Sequence, residues 1–108
     1  MDIQIKRGLL EVCVLAALSR GDSYGYQIIK DIEPYIAISE STLYPILRRL
    51  EEGRCLMVYS VEHKGRLRKY YRITDTGLMR LEGFSAEWQE IMNVYRFITG
   101  EADENDKK

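Results

Sequence analysis

A chain of 108 residues has room for one compact core and little more. Its composition, 45% hydrophobic and 31% charged with two prolines, excludes disorder over most of its length. The formal charge of −1 hides a division along the chain. Residues 41–72 carry eight basic against three acidic side chains, and residues 82–108 carry three against seven. A basic segment in a neutral chain suits polyanion binding by one face, although a solvated surface can also carry such charge.

Met1 to Arg7 is not followed by a cleavable signal pattern. The apolar run Leu9–Leu18, interrupted by Glu11, is too short to span a bilayer. The chain is therefore expected to stay in the cytoplasm, away from membranes. The run reads as a buried first helix that stops at Ser19-Arg20-Gly21, with Cys13 as a small buried hydrophobe. Cys13 and Cys55 form no CxxC pair and only one histidine is present, so neither a zinc site nor any other cofactor is expected.

Asp22 and Ser23 offer side-chain caps for a second helix, whose apolar positions are Gly25, Ile28, Ile29 and Ile32. Pro34 stops it at Glu33, and Tyr35–Ile38 reads as a short extended connection. Ser39 to Thr42 supplies hydroxyl caps for a third helix. There Leu43, Ile46, Leu47 and Leu50 fall at i, i+3, i+4 and i+7. Pro45 requires a start near Thr42 or a bend, and Gly53 ends the helix.

Two β-prone runs follow, Leu56–Glu62 and Leu67–Ile73, joined by His63-Lys64-Gly65-Arg66 in a hairpin. On the second strand Tyr71, in register with Leu67 and Ile73, is expected in the core, and Tyr70 on the other face is expected to pack. His63 is expected to be exposed. Thr74 caps a last helix, in which Leu81, Phe84, Trp88, Ile91, Tyr95 and Ile98 alternate spacings of three and four as a heptad seam. The fold class expected is α+β, mostly α: a winged helix-turn-helix with an added C-terminal dimerisation helix. Residues 1–73 form the winged-helix domain, 74–99 the dimerisation helix and 100–108 a polar tail expected to be disordered.

The stripe of the third helix turns Ser41, Tyr44, Pro45 and Arg48 outward, with Thr42 and Arg49 flanking it. The N-terminal part of such a helix enters the major groove. Hydroxyls there can bond phosphates or base edges, and an arginine can bond guanine in bidentate fashion. Taken alone, Arg48 and Arg49 read equally well as partners of Glu51 and Glu52. The hairpin decides: Lys64, Arg66, Arg68 and Lys69 place four basic side chains in six positions. That exceeds what edge protection needs and suits phosphate contacts.

Gly25-Tyr26-Gln27-Ile28, Thr42-Leu43-Tyr44-Pro45-Ile46-Leu47-Arg48-Arg49-Leu50-Glu51, Gly53, Gly65, Arg68-Lys69-Tyr70-Tyr71, Thr74 and Gly77 together resemble the PadR family of bacterial transcriptional regulators. The resemblance runs from about Leu9 to the end of the last helix and points to the small subfamily with one C-terminal helix. It implies a homodimeric repressor that binds a palindromic operator in double-stranded DNA and is released by a small molecule or environmental cue. It places the DNA contacts on Thr42, Tyr44 and Arg48, with the basic hairpin behind them.

Trp88 has two readings. It either anchors the dimer interface, where tryptophan is common, or stacks a planar aromatic effector between subunits, as the resemblance implies for some small members. In that case Met92 and Val12 would help line the site. A protein-interaction module using the hairpin and last helix is the alternative function. An enzyme is not expected, because the chain has no nucleophile–His–acid set and no phosphate-cradling glycine loop.

Overall fold

The computed structural model describes residues 1–101. The elements are α1 (Ile3–Ser19), α2 (Gly25–Ile32), α3 (Glu40–Glu52), β1 (Leu56–His63), β2 (Arg66–Ile73) and α4 (Asp75–Thr99). The fold is mostly helical with a two-stranded antiparallel wing. No helix among the described residues is long and apolar enough to cross a membrane. The expected tail falls largely on residues 102–108, outside the described residues.

One core unites three helices and the base of the hairpin. Leu10, Val14, Leu15 and Leu18 of α1 meet Ile28 and Ile32 of α2, and Leu43, Ile46, Leu47 and Leu50 of α3. Leu56 and Tyr71 close it from the wing.

α1 starts six residues before the expected Leu9, because the Asp2 carboxylate accepts from the backbone N–H of Gln4 (2.9 Å) and Ile5 (3.2 Å). Only one face of α1 is buried, so Cys13 is half-buried rather than enclosed; the buried thiol is Cys55. Burial still pushes the Cys13 thiol up from its ordinary value.

Asp22 and Ser23 do not cap α2. The residue before it is Tyr24, without a side-chain cap. Ser23 pairs with Tyr71 instead, its N–H donating to the Tyr71 carbonyl (3.2 Å) and its carbonyl accepting from the Tyr71 N–H (2.8 Å). The loop thereby adds a one-residue bridge to the wing. Glu33 keeps helical geometry (φ −57, ψ −28), so α2 ends because Pro34 has no N–H to donate.

α3 begins at Glu40, which puts Pro45 in its second turn rather than its first. The proline removes the bond that would have used the Ser41 carbonyl. The Ser39 hydroxyl makes no cap bond to the backbone and lies 3.0 Å from the Ser41 hydroxyl.

Lys64 (φ 51) and Gly65 (φ 78) both take left-handed geometry. They form the two-residue primed turn whose twist matches that of the strands. The register follows, with His63 opposite Arg66 and Tyr59 opposite Tyr70. Tyr71 is buried at 4% exposure as expected. Leu67, expected on the same buried face, is 76% exposed, since the hairpin runs past the edge of the core before reaching its turn.

The Thr74 hydroxyl accepts from the Gly77 N–H (3.1 Å) and starts α4. Gly77 is buried, and a Cβ there would run into the Cys55 carbonyl. Beyond its second turn, where Leu81 still packs on the core, α4 leaves it. Leu81 and Phe84 are half-buried, whereas Trp88, Ile91, Tyr95 and Ile98 are exposed.

Candidate nucleic-acid interface

The physics of α3 separates its two faces. Leu43, Ile46, Leu47 and Leu50 are each at most 1% exposed. Ser41, Thr42, Tyr44, Pro45, Arg48 and Arg49 are all exposed. At 100° per residue, Ser41 and Arg48 stand at the middle of the free face, Tyr44 at one edge, and Thr42 and Arg49 at the other.

The Tyr44 edge faces the wing. Tyr44 shares one concave surface with Tyr24, Gly25, Arg68 and Lys69. A Cβ at Gly25 would lie 2.5 Å from the Tyr44 hydroxyl, so glycine gives the ring its seat against the start of α2. Lys64 and Arg66 stand further out, exposed around the hairpin tip.

Arg68, expected to contact DNA, also packs against the protein. It is half-buried, with its guanidinium 4.1 Å from the centre of the Tyr24 ring. Such a cation–π contact holds the side chain against the protein. Tyr24 also meets Tyr70 edge-on at 5.4 Å, and Tyr70 stacks on Tyr59 at 5.7 Å. Tyr70 packs, as the strand alternation implies.

Sequence reasoning missed Asp22, Tyr59 and Arg72. Asp22 receives Arg72 Nε at 3.0 Å, an Arg72 terminal nitrogen at 2.9 Å and the Tyr59 hydroxyl. These bonds from Arg72 first, and then from Tyr59, hold the Asp22 carboxyl below the usual aspartate range. Donation to Asp22 pushes the Tyr59 hydroxyl up. Separations of 37 and 50 residues leave no local pattern for the set. The register implied by the Lys64-Gly65 turn does place Tyr59 opposite Tyr70.

Arg49 pairs with neither Glu51 nor Glu52. It lies 4.0 Å from Glu11 of α1, and Glu11 is held more closely by Arg80 of α4 at 3.1 Å. That flank of α3 faces the first two turns of α1, where Lys6, Arg7, Ser41, Thr42, Pro45 and Arg49 border a groove.

The seam of α4 is uncovered beyond Phe84. Phe84 and Trp88 stack at 5.8 Å, and Trp88 is 42% exposed. Met92 and Val12 are half-buried. His63 is exposed as expected. Among the described residues no group of three or more His, Cys, Asp or Glu can hold a metal ion.

The model of the transcriptional regulator PadR-like family matches residues 14–83, from the middle of α1 into the first turns of α4. An uncharacterized Lysinibacillus sphaericus protein is 35% identical over 95 residues, covering 83% of this chain and 87% of that protein. Among solved structures, a PadR family transcriptional regulator from Eggerthella lenta superposes with a TM-score of 0.80 at 35% identity, covering 90% of this chain and 87% of the other. A Streptococcus mutans protein superposes with a TM-score of 0.76 at 44% identity, over 86% and 89% of the two chains.

Proposed function

This chain belongs to the PadR-like family of DNA-binding transcriptional regulators, and from that premise we propose that it is a homodimeric repressor of a palindromic operator, released by a small molecule or environmental cue. It acts in the cytoplasm, where its DNA would be. Residues 1–73 bind the duplex and residues 74–99 pair the subunits. α3 enters the major groove, where Arg48 reads base edges and Ser41, Thr42, Tyr44 and Arg49 contact bases or phosphates. Lys64, Arg66 and Lys69 grip the phosphate backbone from the wing. Arg68 contributes field while its packing on Tyr24 orients the strand.

The observation that carries this reading is the shared concave surface of Tyr44, Arg68 and Lys69, which joins the free face of α3 to the wing. The test compares two substitutions on the DNA upstream of the chain's own gene and on random duplex. Arg48→Ala costs about 1–3 kcal/mol on operator and leaves random DNA nearly untouched. Lys64→Ala weakens both alike and reduces the salt slope. No retardation of either DNA at low salt overturns the reading. Equal loss on both for Arg48→Ala overturns its base-reading role.

Trp88 is the anchor of the dimer seam. The exposed ring also offers a stacking surface for a planar aromatic effector, with Val12 and Met92 as neighbours. Titrating tryptophan emission with planar compounds, with and without operator, checks this. An emission change whose midpoint shifts when operator is present supports effector release, because coupling between two sites is reciprocal. Unmoved emission leaves Trp88 an anchor alone.

A further inference from the structure

A helix lying in the major groove has a phosphate backbone on either side of it, and the wing lies on one side of α3 only. The other side is occupied by the first two turns of α1. There Ile3, Lys6, Arg7 and Leu10 fall at i, i+3, i+4 and i+7, so they share the face turned toward α3. Leu10 belongs to the core, Lys6 is half-buried and Arg7 is exposed. With Ser41, Thr42, Pro45 and Arg49 they line a groove along the edge of α3 opposite Tyr44.

We propose that Lys6 and Arg7 form a second phosphate grip, which holds the strand of the operator backbone that the wing does not reach, with Arg49 and the Ser41 and Thr42 hydroxyls completing it. The inference rests on the reading of α3 as the groove-entering helix.

Charge supports the assignment. Three basic side chains line this groove, and no acidic one does. Two carboxylates bonded elsewhere stay outside the lining: Asp2 caps its own helix, and Glu11 bonds Arg80 at 3.1 Å. Glu40, exposed at the start of α3, is likewise absent from the lining. Arg49, only 4.0 Å from Glu11, is loosely held and can turn to a phosphate. The capping of α1 by Asp2 gives the grip its rigidity. Without it Lys6 and Arg7 would sit on a loose lead-in, and ordering that lead-in would offset the binding energy.

The test uses the full chain and two probes, the duplex upstream of its own gene and a random duplex of equal length. Replacing both residues by glutamine (Lys6→Gln with Arg7→Gln) keeps helix propensity and removes the charge. Affinity for both probes should fall by a similar factor, more than about tenfold at ~0.1 M salt. The log–log salt slope should shrink by roughly 0.9 for each phosphate no longer neutralised, ~1.8 per subunit. The charge-conserving exchange (Lys6→Arg with Arg7→Lys) should keep the slope. Should the double variant lose helicity, each single glutamine variant should give half the change.

An unchanged slope, even with weakened binding, overturns the grip, because it means the residues act through folding or pairing. Weakening confined to one probe overturns it as well. Lys64→Ala separates the two levels. If it lowers the slope and the Lys6/Arg7 pair does not, only the grip fails. If wild type shows no salt-dependent binding, the regulator reading fails with it.

Discussion

At single positions, identity is set by what lies within a few ångströms. Gly77 sits in the first turn of α4, where alanine would ordinarily add up to about 1 kcal/mol of stability. Here a Cβ would run into the Cys55 carbonyl, which accepts from the Thr74 N–H at 2.9 Å. The same Cβ would meet the Ile73 side chain at 2.6 Å. Backbone on one side cannot yield as a flexible side chain would. Gly77→Ala should therefore destabilise by roughly 1–3 kcal/mol, as overpacking does, read from urea unfolding of the variant beside wild type. A stabilised variant would show that α4 can shift away from the wing at no cost. The glycine was readable in the sequence as part of a family pattern, but its reason was not. The carbonyl it faces belongs to Cys55, before the whole hairpin, and no local rule connects the two.

Between elements, the wing is fastened by a charged contact at its base and by aromatic packing along one face. Asp22 in the α1–α2 loop holds Arg72 of β2 and Tyr59 of β1 together. Because the folded-state carboxyl lies below the ~3.9 of an unfolded aspartate, its contribution is fully present above that value. It is lost as pH falls through the folded value. Asp22→Asn should thus be less stable than wild type at about pH 7, and the gap between the two denaturation midpoints should narrow as acid takes the pH below the ordinary aspartate range. A gap that does not narrow on acidification would assign the effect to shape rather than charge. Amphipathic spacing made the elements legible: Leu43, Ile46, Leu47 and Leu50 and the Lys64-Gly65 turn pointed to α3 and the wing directly. What stayed hidden was the assignment of charge to partners. Four basic residues in the wing, Lys64, Arg66, Arg68 and Lys69, read alike as phosphate contacts, yet Arg68 also lies on Tyr24, and a fifth, Arg72, is bound to Asp22. Composition counts charges; only the packed strands show which of them still face outward. The start of α1 was hidden for a related reason, since its first turns carry no apolar run and depend on one aspartate cap.

For the molecule as a whole, α4 carries more exposed large apolar side chains than any other element among the described residues. Ile91 is 49% exposed, Tyr95 51%, Phe97 70% and Ile98 72%, all on one helix that leaves the core after its first turns. An isolated chain would keep this surface in water at a cost of about 25 cal/mol for each Å² of apolar area. Exposed apolar side chains gathered on one helix commonly mark an interface, and the heptad seam of Ile91, Tyr95 and Ile98 fits a second copy of itself. If pairing through α4 is part of the folded state, dilution must favour unfolding, and the thermal midpoint must rise with protein concentration. Ile91→Asp places a carboxylate in the seam, where pairing would have to desolvate it. That variant should sediment as a monomer, melt at a midpoint independent of concentration, and bind operator with the weaker affinity of a single half-site. The winged-helix core of the variant should still unfold cooperatively, since residues of α1, α2, α3 and the wing base carry it. A concentration-independent midpoint in wild type would mean that α4 finds its cover elsewhere, and the spacing of two reading helices could not then be set by this seam.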